Sequence, residues 1–285
     1  PVRRKSQTIS KIGFLVCFLM LIYPLIASSW NRYRSSLLAT QYEAAVEEDP
    51  EYYVEMLKEA REYNETLAKS VDYVVNEQEH ERDEAYESLL DINGVMGYIS
   101  IPAIQVTEAI YHYSFDSVLE DGVGHIHGSS LPVGAEEGGT VHSMLTGHCG
   151  LPTQKFFTDL DKLVEGDLFF LNVCGETFAY EVDEVQVVLP DDVDSLTMDE
   201  GEDKVTLVTC TPYGVNSHRL LVTGHRIPYT EETAAEEDRT YLPRLDIGET
   251  LILAVLSVFL LIFFVIFVHD RALAHKRKKR KKEIQ

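Results

Sequence analysis

Basic residues are scarce in this 285-residue chain, which carries 25 Lys+Arg against 47 Asp+Glu and a formal net charge of −22. The deficit is concentrated: residues 35–245 hold 43 acidic side chains and 11 basic ones. Nucleic-acid backbones are bound through lysine and arginine, so a segment this acidic excludes nucleic acid as a partner and is kept off anionic lipid. No internal repeat is present. Metal-ligand spacing is lacking too. His125 and His127 alternate on a candidate strand, but no acidic or cysteine partner stands at tight spacing to them, so a metal site is not expected. Cysteine is sparse, with only Cys17, Cys149, Cys174 and Cys210.

Against these absences stand two long apolar runs without a charge, residues 12–28 and 251–268. Each approaches the roughly 20 residues that span a bilayer as a helix. No convincing small-x-small cleavage site follows the first, and Trp30 and Tyr33 with Arg32 and Arg34 form an interfacial anchor, so a retained helix is expected rather than a signal peptide. Arg3, Arg4, Lys5 and Lys11 precede the first run; Arg271 and the basic cluster 276–282 follow the second. Basic flanks stay cytoplasmic. Both termini are therefore expected inside and the acidic middle outside. Cys17 lies in the first run, which leaves three exterior cysteines, an odd number that a disulfide framework does not use. At least one is a free thiol or bonded between molecules, and a free thiol outside the cell points to chemistry.

The order of segments follows. Residues 1–34 form a basic end and first membrane helix, and 35–92 an exterior helical segment with an acidic surface loop. A β-rich domain covers 93–229, an acidic linker 230–248, a second membrane helix 249–270 and a basic tail 271–285. In the helical segment Asp49 is a good N-cap and Pro50 suits the first helical position. Tyr53, Met56, Ala60, Tyr63 and Leu67 then recur at three- and four-residue spacing, one apolar stripe that must dock on something. From Gly97 the pattern changes to short runs rich in Val, Ile, Thr and Tyr: 97–102, 106–111, 141–146, 167–173, 177–188, 204–209 and 219–227. Seven or more such strands divided by Gly, Pro and Asp turns imply a closed barrel or a sandwich.

Chemistry concentrates at the end of one run. Thr206 to Thr209 reads as a buried strand that Cys210 terminates, before the turn Thr211-Pro-Tyr-Gly214. If the strand opened by Ser217, His218 and Arg219 pairs with it, Cys210 and Arg219 become neighbours at one rim. A cation beside a thiol favours the thiolate and stabilises an oxyanion. Among eight exterior histidines His148 stands out as the base, because Thr146-Gly-His148 ends a run and meets the turn Gly150-Leu-Pro152. For each of the three taken alone the plainer reading is structural: a buried strand cysteine, a surface ion pair, a loop histidine.

Taken together, Leu145-Thr-Gly-His148 and Thr206-Leu-Val-Thr-Cys210-Thr-Pro-Tyr-Gly-Val-Asn-Ser-His-Arg219 resemble the signature of sortases, most closely the pilin-polymerising class C. Gly97-Tyr-Ile-Ser-Ile-Pro102, Gly122-Val-Gly-His125, Ser130-Leu-Pro-Val-Gly134, Phe156-Phe-Thr-Asp-Leu-Asp-Lys162 and Val188-Leu-Pro-Asp191 support it. The resemblance implies a mainly-β fold: an eight-stranded closed barrel with an N-terminal helical segment and two flanking transmembrane helices. It implies Cys210 as nucleophile, His148 as general acid/base and Arg219 as oxyanion or substrate clamp. The substrate would be a Leu-Pro-x-Thr-Gly sorting signal, cleaved between Thr and Gly and joined to a lysine of another pilin subunit. Anchoring to a cell-wall precursor such as lipid II, or a non-catalytic module that binds sorting signals, are the alternatives.

Two departures from the family pattern stand out. The loop in the place of the family's lid reads Ser70-Val-Asp-Tyr-Val-Val-Asn76, without the usual proline, so Asp72 and Tyr73 are candidate lid residues; Thr209 is a candidate substrate contact. Cys149 replaces a common arginine, either as a passive small residue or as a disulfide partner for Cys210.

Overall fold

Alternating β-branched and aromatic residues build eight strands in the computed structural model: β1 (Gly97–Ile101), β2 (Val106–His112), β3 (Val123–His125), β4 (Val141–Thr146), β5 (Leu168–Val173), β6 (Glu176–Val188), β7 (Asp203–Thr211) and β8 (His218–Ile227). The structure describes residues 2–69, 82–136, 138–150, 154–190, 192, 197–238 and 247–283. The strands close into a barrel in the order β1-β2-β3-β4-β7-β8-β6-β5. The β2–β3 and β4–β7 pairs are parallel and the others antiparallel. This is the eight-stranded closed barrel that the resemblance implied.

One strand differs from the sequence reading. The three residues of β3 are too few to show a period, and the sheet itself makes them a strand by pairing them with both β2 and β4. β3 ends at His125, so His125 and His127 do not alternate along one strand. His125 is fully buried: its Nδ1 lies 2.7 Å from the Tyr86 hydroxyl and its Nε2 2.7 Å from the Ser130 carbonyl oxygen. Burial pushes its pKa down to about 3, so the ring is neutral and structural. His127 packs against the Tyr86 and Tyr113 rings. Among the described residues no cluster of three His, Cys, Asp or Glu side chains has the geometry of a metal site.

Adjacent residues of a strand face opposite sides of the sheet, and two apolar clusters record this. Leu145, Val205, Leu207, Leu220 and Val222 belong to the main core inside the barrel. Met144, Val208 and Leu221 join Ile126, with Val188 against them, in a smaller cluster on the outer face of β4–β7–β8.

The chain divides into two compact units, Pro1–Ser29 with Arg244–Gln285, and Trp30–Pro243. In the second, helix α1 (Val2–Glu48) contributes its last turns to the core. Tyr42 donates to the Met96 carbonyl at 2.9 Å and accepts from the Cys174 amide at 2.9 Å. Helix α2 (Pro50–Ala68) starts as its sequence dictates, with the Asp49 carboxylate accepting from the Tyr52 amide at 3.3 Å. Met56, Leu57 and Ala60 bury its apolar stripe, and Asn64 bonds both the amide and the carbonyl of Leu131 at 2.7 and 3.0 Å. Short helices α3 (Glu84–Glu87) and α4 (Asp116–Leu119) flank the barrel. The acidic stretch after β8 contains helix α5 (Glu231–Glu237), opened by a Thr230–Thr233 capping box; Glu237 is buried and bonded to Asn172 and Tyr229 at 2.9 and 2.8 Å.

In the first unit, α1 and helix α6 (Ile247–Glu283) meet through aromatic stacking, with Phe14 and Phe259 centroids 3.8 Å apart. Two helical segments, Gly13–Glu48 and Thr250–Val268, reach mean hydropathies of 1.9 and 3.4 and are long enough to cross a membrane. Leu19, Met20, Tyr23, Leu261 and Phe264 on them are exposed. A core helix would have buried these side chains, so the pair is compatible with membrane anchoring.

Candidate active site

The β7–β8 ladder fixes the relation of two of the three predicted residues. β7 and β8 pair antiparallel with Cys210 directly opposite Arg219. Directly opposed residues share a face, with Cβ atoms about 5 Å apart. β4 and β7 pair in parallel with Thr146 opposite Val208. The contact runs one residue further, because the Gly147 amide donates to the Val208 carbonyl at 3.1 Å. Cys210 and Arg219 therefore form one row across β7 and β8, and His148 stands two residues past the end of β4, beyond the last paired residues Thr146 and Val208. Alternation puts that row on the outer face, next to Val208 and Leu221 of the small apolar cluster. All three are half-buried, held by the sheet and open to a substrate. Cys210 is the penultimate residue of β7, which continues to Thr211 instead of ending at the cysteine.

The turn that carries His148 is fastened at several points. Phe157 donates its amide to the His148 carbonyl at 3.1 Å, and Gly150 donates to the Thr158 hydroxyl at 3.0 Å. Gly147 lies so close to the Phe157 ring that an added Cβ would stand 2.9 Å from it. Gly150 adopts a φ of +88° beneath the Tyr213 ring, which comes from the β7–β8 loop. Neither Phe157 nor Thr158 was singled out in the sequence for the site, the motif Phe156 to Lys162 being their one signal; Tyr213 stood within the motif Thr206 to Arg219 without a role of its own.

Thr209 is buried and points inward, with its hydroxyl donating to the Gly147 carbonyl at 2.7 Å. Its side chain lies on the opposite face from Cys210. Asp72 and Tyr73, the candidate lid residues, lie outside the described residues. Cys149 is half-buried and, like the other three cysteines, a free thiol. Burial, helped by Asp161, Cys210 and Asp159, raises its pKa above the ordinary thiol value, so it stays protonated at neutral pH. A thiol next to a base, with a cation at the position where an oxyanion would form, is equipped for acyl transfer through a thioester. The outer-face row needs no metal ion or organic cofactor for that step.

Comparison with known proteins gives a consistent picture. The family description "Sortase domain" matches residues 99–227. Sortase A of Bacillus anthracis is 28% identical over 141 residues, which cover 50% of this chain and 64% of that protein. Sortase A of Staphylococcus aureus is 30% identical over 129 residues, 43% of this chain and 58% of the relative. The chain thus spans less than two thirds of the length of these curated relatives. Among solved structures the crystal structure of sortase C-1 from Actinomyces oris is 44% identical, with a TM-score of 0.59, covering 63% of this chain and all of that one. A crystal form of Streptococcus agalactiae sortase C1 gives 42% identity and a TM-score of 0.62 over 66% of this chain and 97% of that one. Sortase C of Streptococcus pneumoniae, described by its structure's authors in terms of catalysis and pilin substrate specificity, gives 37% and 0.61, covering 67% and 97%.

Proposed function

The chain belongs to the sortase family, and from that premise we propose that it is a membrane-anchored cysteine transpeptidase of class C type that joins pilin subunits. The observation that carries the reading is the pairing of Cys210 with Arg219 across β7 and β8, with His148 in the turn that follows the neighbouring strand β4. The Cys210 thiolate attacks the carbonyl carbon of the threonine in a Leu-Pro-x-Thr-Gly signal. The C–N bond to glycine breaks, the glycine amine takes a proton from His148, and the threonyl group remains on sulfur as a thioester. Arg219 faces the carbonyl oxygen and stabilises its charge in the tetrahedral intermediate. In the second half a lysine enters as the neutral amine: its nitrogen attacks the thioester carbon, His148, now a base, takes the proton that the nitrogen loses, and the C–S bond breaks to leave the Cys210 thiolate. An isopeptide bond forms and Cys210 is regenerated.

Identity of 35–44% with sortase C structures, against 28–30% with the sortase A relatives, favours pilin joining over anchoring to a cell-wall precursor. The two apolar helices support a topology with both termini cytoplasmic and the barrel outside, where pilins are assembled. The test is transfer itself. A Leu-Pro-Ala-Thr-Gly peptide and a lysine-bearing peptide are incubated with the protein, and the products are read by mass. The reading predicts an ε-amide between threonine and lysine. Exclusive transfer to a glycine-type or diaminopimelate-type wall amine would move the assignment to wall anchoring, and binding without cleavage would leave a non-catalytic module.

A further inference from the structure

Two hydroxyls hold the backbone on either side of His148 in the sequence, at Gly147 and at Gly150. On the β7 side the Thr209 hydroxyl donates to the Gly147 carbonyl at 2.7 Å. This bond lies one residue from the nucleophile at one end and one residue from the base at the other. On the far side the Thr158 hydroxyl accepts from the Gly150 amide at 3.0 Å, while the neighbouring Phe157 amide bonds the His148 carbonyl at 3.1 Å. Gly147 pressed on the Phe157 ring leaves the turn no room to slide that way, and the Tyr213 ring covers Gly150.

We propose that Thr158 and Thr209 are positioning residues that together set the distance between His148 and Cys210, Thr209 acting through Gly147 and Thr158 through Gly150. The inference rests on the reading of Cys210 and His148 as nucleophile and base. Thr209 has a second consequence. Its hydroxyl is committed to the protein's own backbone on the inner face, so it contributes geometry and not a substrate contact. Thr158 does for the far side of the turn what Thr209 does for the near side. Removing either hydroxyl loosens the base without touching either reacting group, and a misplacement of about 1 Å is enough to slow chemistry strongly.

The experiment measures kcat and KM for cleavage of a Leu-Pro-Ala-Thr-Gly peptide by the full chain. It compares wild type with Thr158→Val, Thr158→Ser, Thr209→Val, Thr209→Ser and His148→Ala, with thermal unfolding of each. The expected result is a fall in kcat of about tenfold in Thr209→Val and about fivefold in Thr158→Val, with KM within about twofold of wild type. Both serine variants, which keep the hydroxyl, recover most of the rate. The pH–rate profile changes shape in the valine variants and not in the serine ones, which a general loss of stability would not produce. Wild-type kcat in both valine variants, alongside an inactive His148→Ala, overturns the clamp and leaves the active-site reading standing. Serine variants as slow as the valine ones would also overturn it, since packing and not the hydroxyl would then matter. An active His148→Ala removes the active-site reading and the clamp with it.

Discussion

Cys174 and Cys210 each sit at the end of a β-strand, and the contrast between their surroundings separates a structural thiol from a reactive one. Cys174 follows the last residue of β5 and turns the chain with φ at +50°. Helix α1 closes over it: Tyr42 accepts from its amide, and Val46 lies against the adjoining Gly175. Only 5% of it is exposed, and burial pushes its thiol up to about 12, with Glu176 adding to the effect against a lowering contact from Tyr42. Cys210 lies half-open on the outer face, opposite a guanidinium. A strand end therefore gives a cysteine rigidity, while what covers it and what stands across the ladder decide whether it reacts.

Cys210→Ala breaks the comparison most strongly. Peptide cleavage should fall by about a thousandfold or more, while Cys174→Ala keeps wild-type turnover. Equal losses in the two would put reactivity in the fold at large. The next largest effect concerns the cover. Tyr42→Ala should destabilise the fold by about 3–5 kcal/mol, as loss of a buried aromatic does. It should also make Cys174 accessible to iodoacetamide, which in wild type at pH 8 labels Cys210 first. A Cys174 that stays unlabelled in this variant would mean the helix is not what silences it. Arg219→Ala should lower kcat about a hundredfold with little change in unfolding temperature, and Arg219→Lys should recover only part, because a point charge does not replace a planar fork.

The smallest effect sharpens the same contrast among histidines. His125, bonded at both ring nitrogens, is kept neutral by burial, with His112 and His127 also opposing its charge and the Ser130 carbonyl favouring it. Its folded pKa of about 3 lies below the ordinary value of 6.5. The unfolded chain therefore binds a proton that the folded one refuses. The stabilising contribution is complete above pH 6.5 and is lost as pH falls toward 3, at up to about 1.4 kcal/mol per pH unit. Chemical denaturation at stepped pH should show a shallower decline in His125→Gln than in wild type. An unchanged slope would remove His125 as the cause.

Most of the barrel was legible in the sequence because its strands are long enough to alternate. Seven were marked by their own composition, while β3 was read only as a candidate strand running on to His127, because three residues depend on their neighbours for their structure. The row of Cys210 and Arg219 was foreseeable once two strand ends flanked a short turn, since antiparallel pairing leaves little choice of register. His148 was marked by its place at a run's end. The fastening of its turn was not legible. Thr158 and Phe157 are ten and nine residues downstream, and nothing local in the sequence says which hydroxyl will meet which amide. Thr209 looked like a substrate contact because it adjoins the nucleophile; the pleat turns it to the other face. The stretch after β8 read as featureless acid, yet Glu237 is buried there, bonded to Asn172 in β5 by a tertiary contact that composition does not announce.

The most direct test of the account is the intact mass of the protein after brief incubation with a Leu-Pro-Ala-Thr-Gly peptide in the absence of an amine, followed by peptide mapping. The account predicts an added Leu-Pro-Ala-Thr acyl group on Cys210 that hydroxylamine removes and that is absent from Cys149, Cys174 and the Cys210→Ala variant. An acyl group on another residue, or glycine release that proceeds unchanged without Cys210, would contradict it.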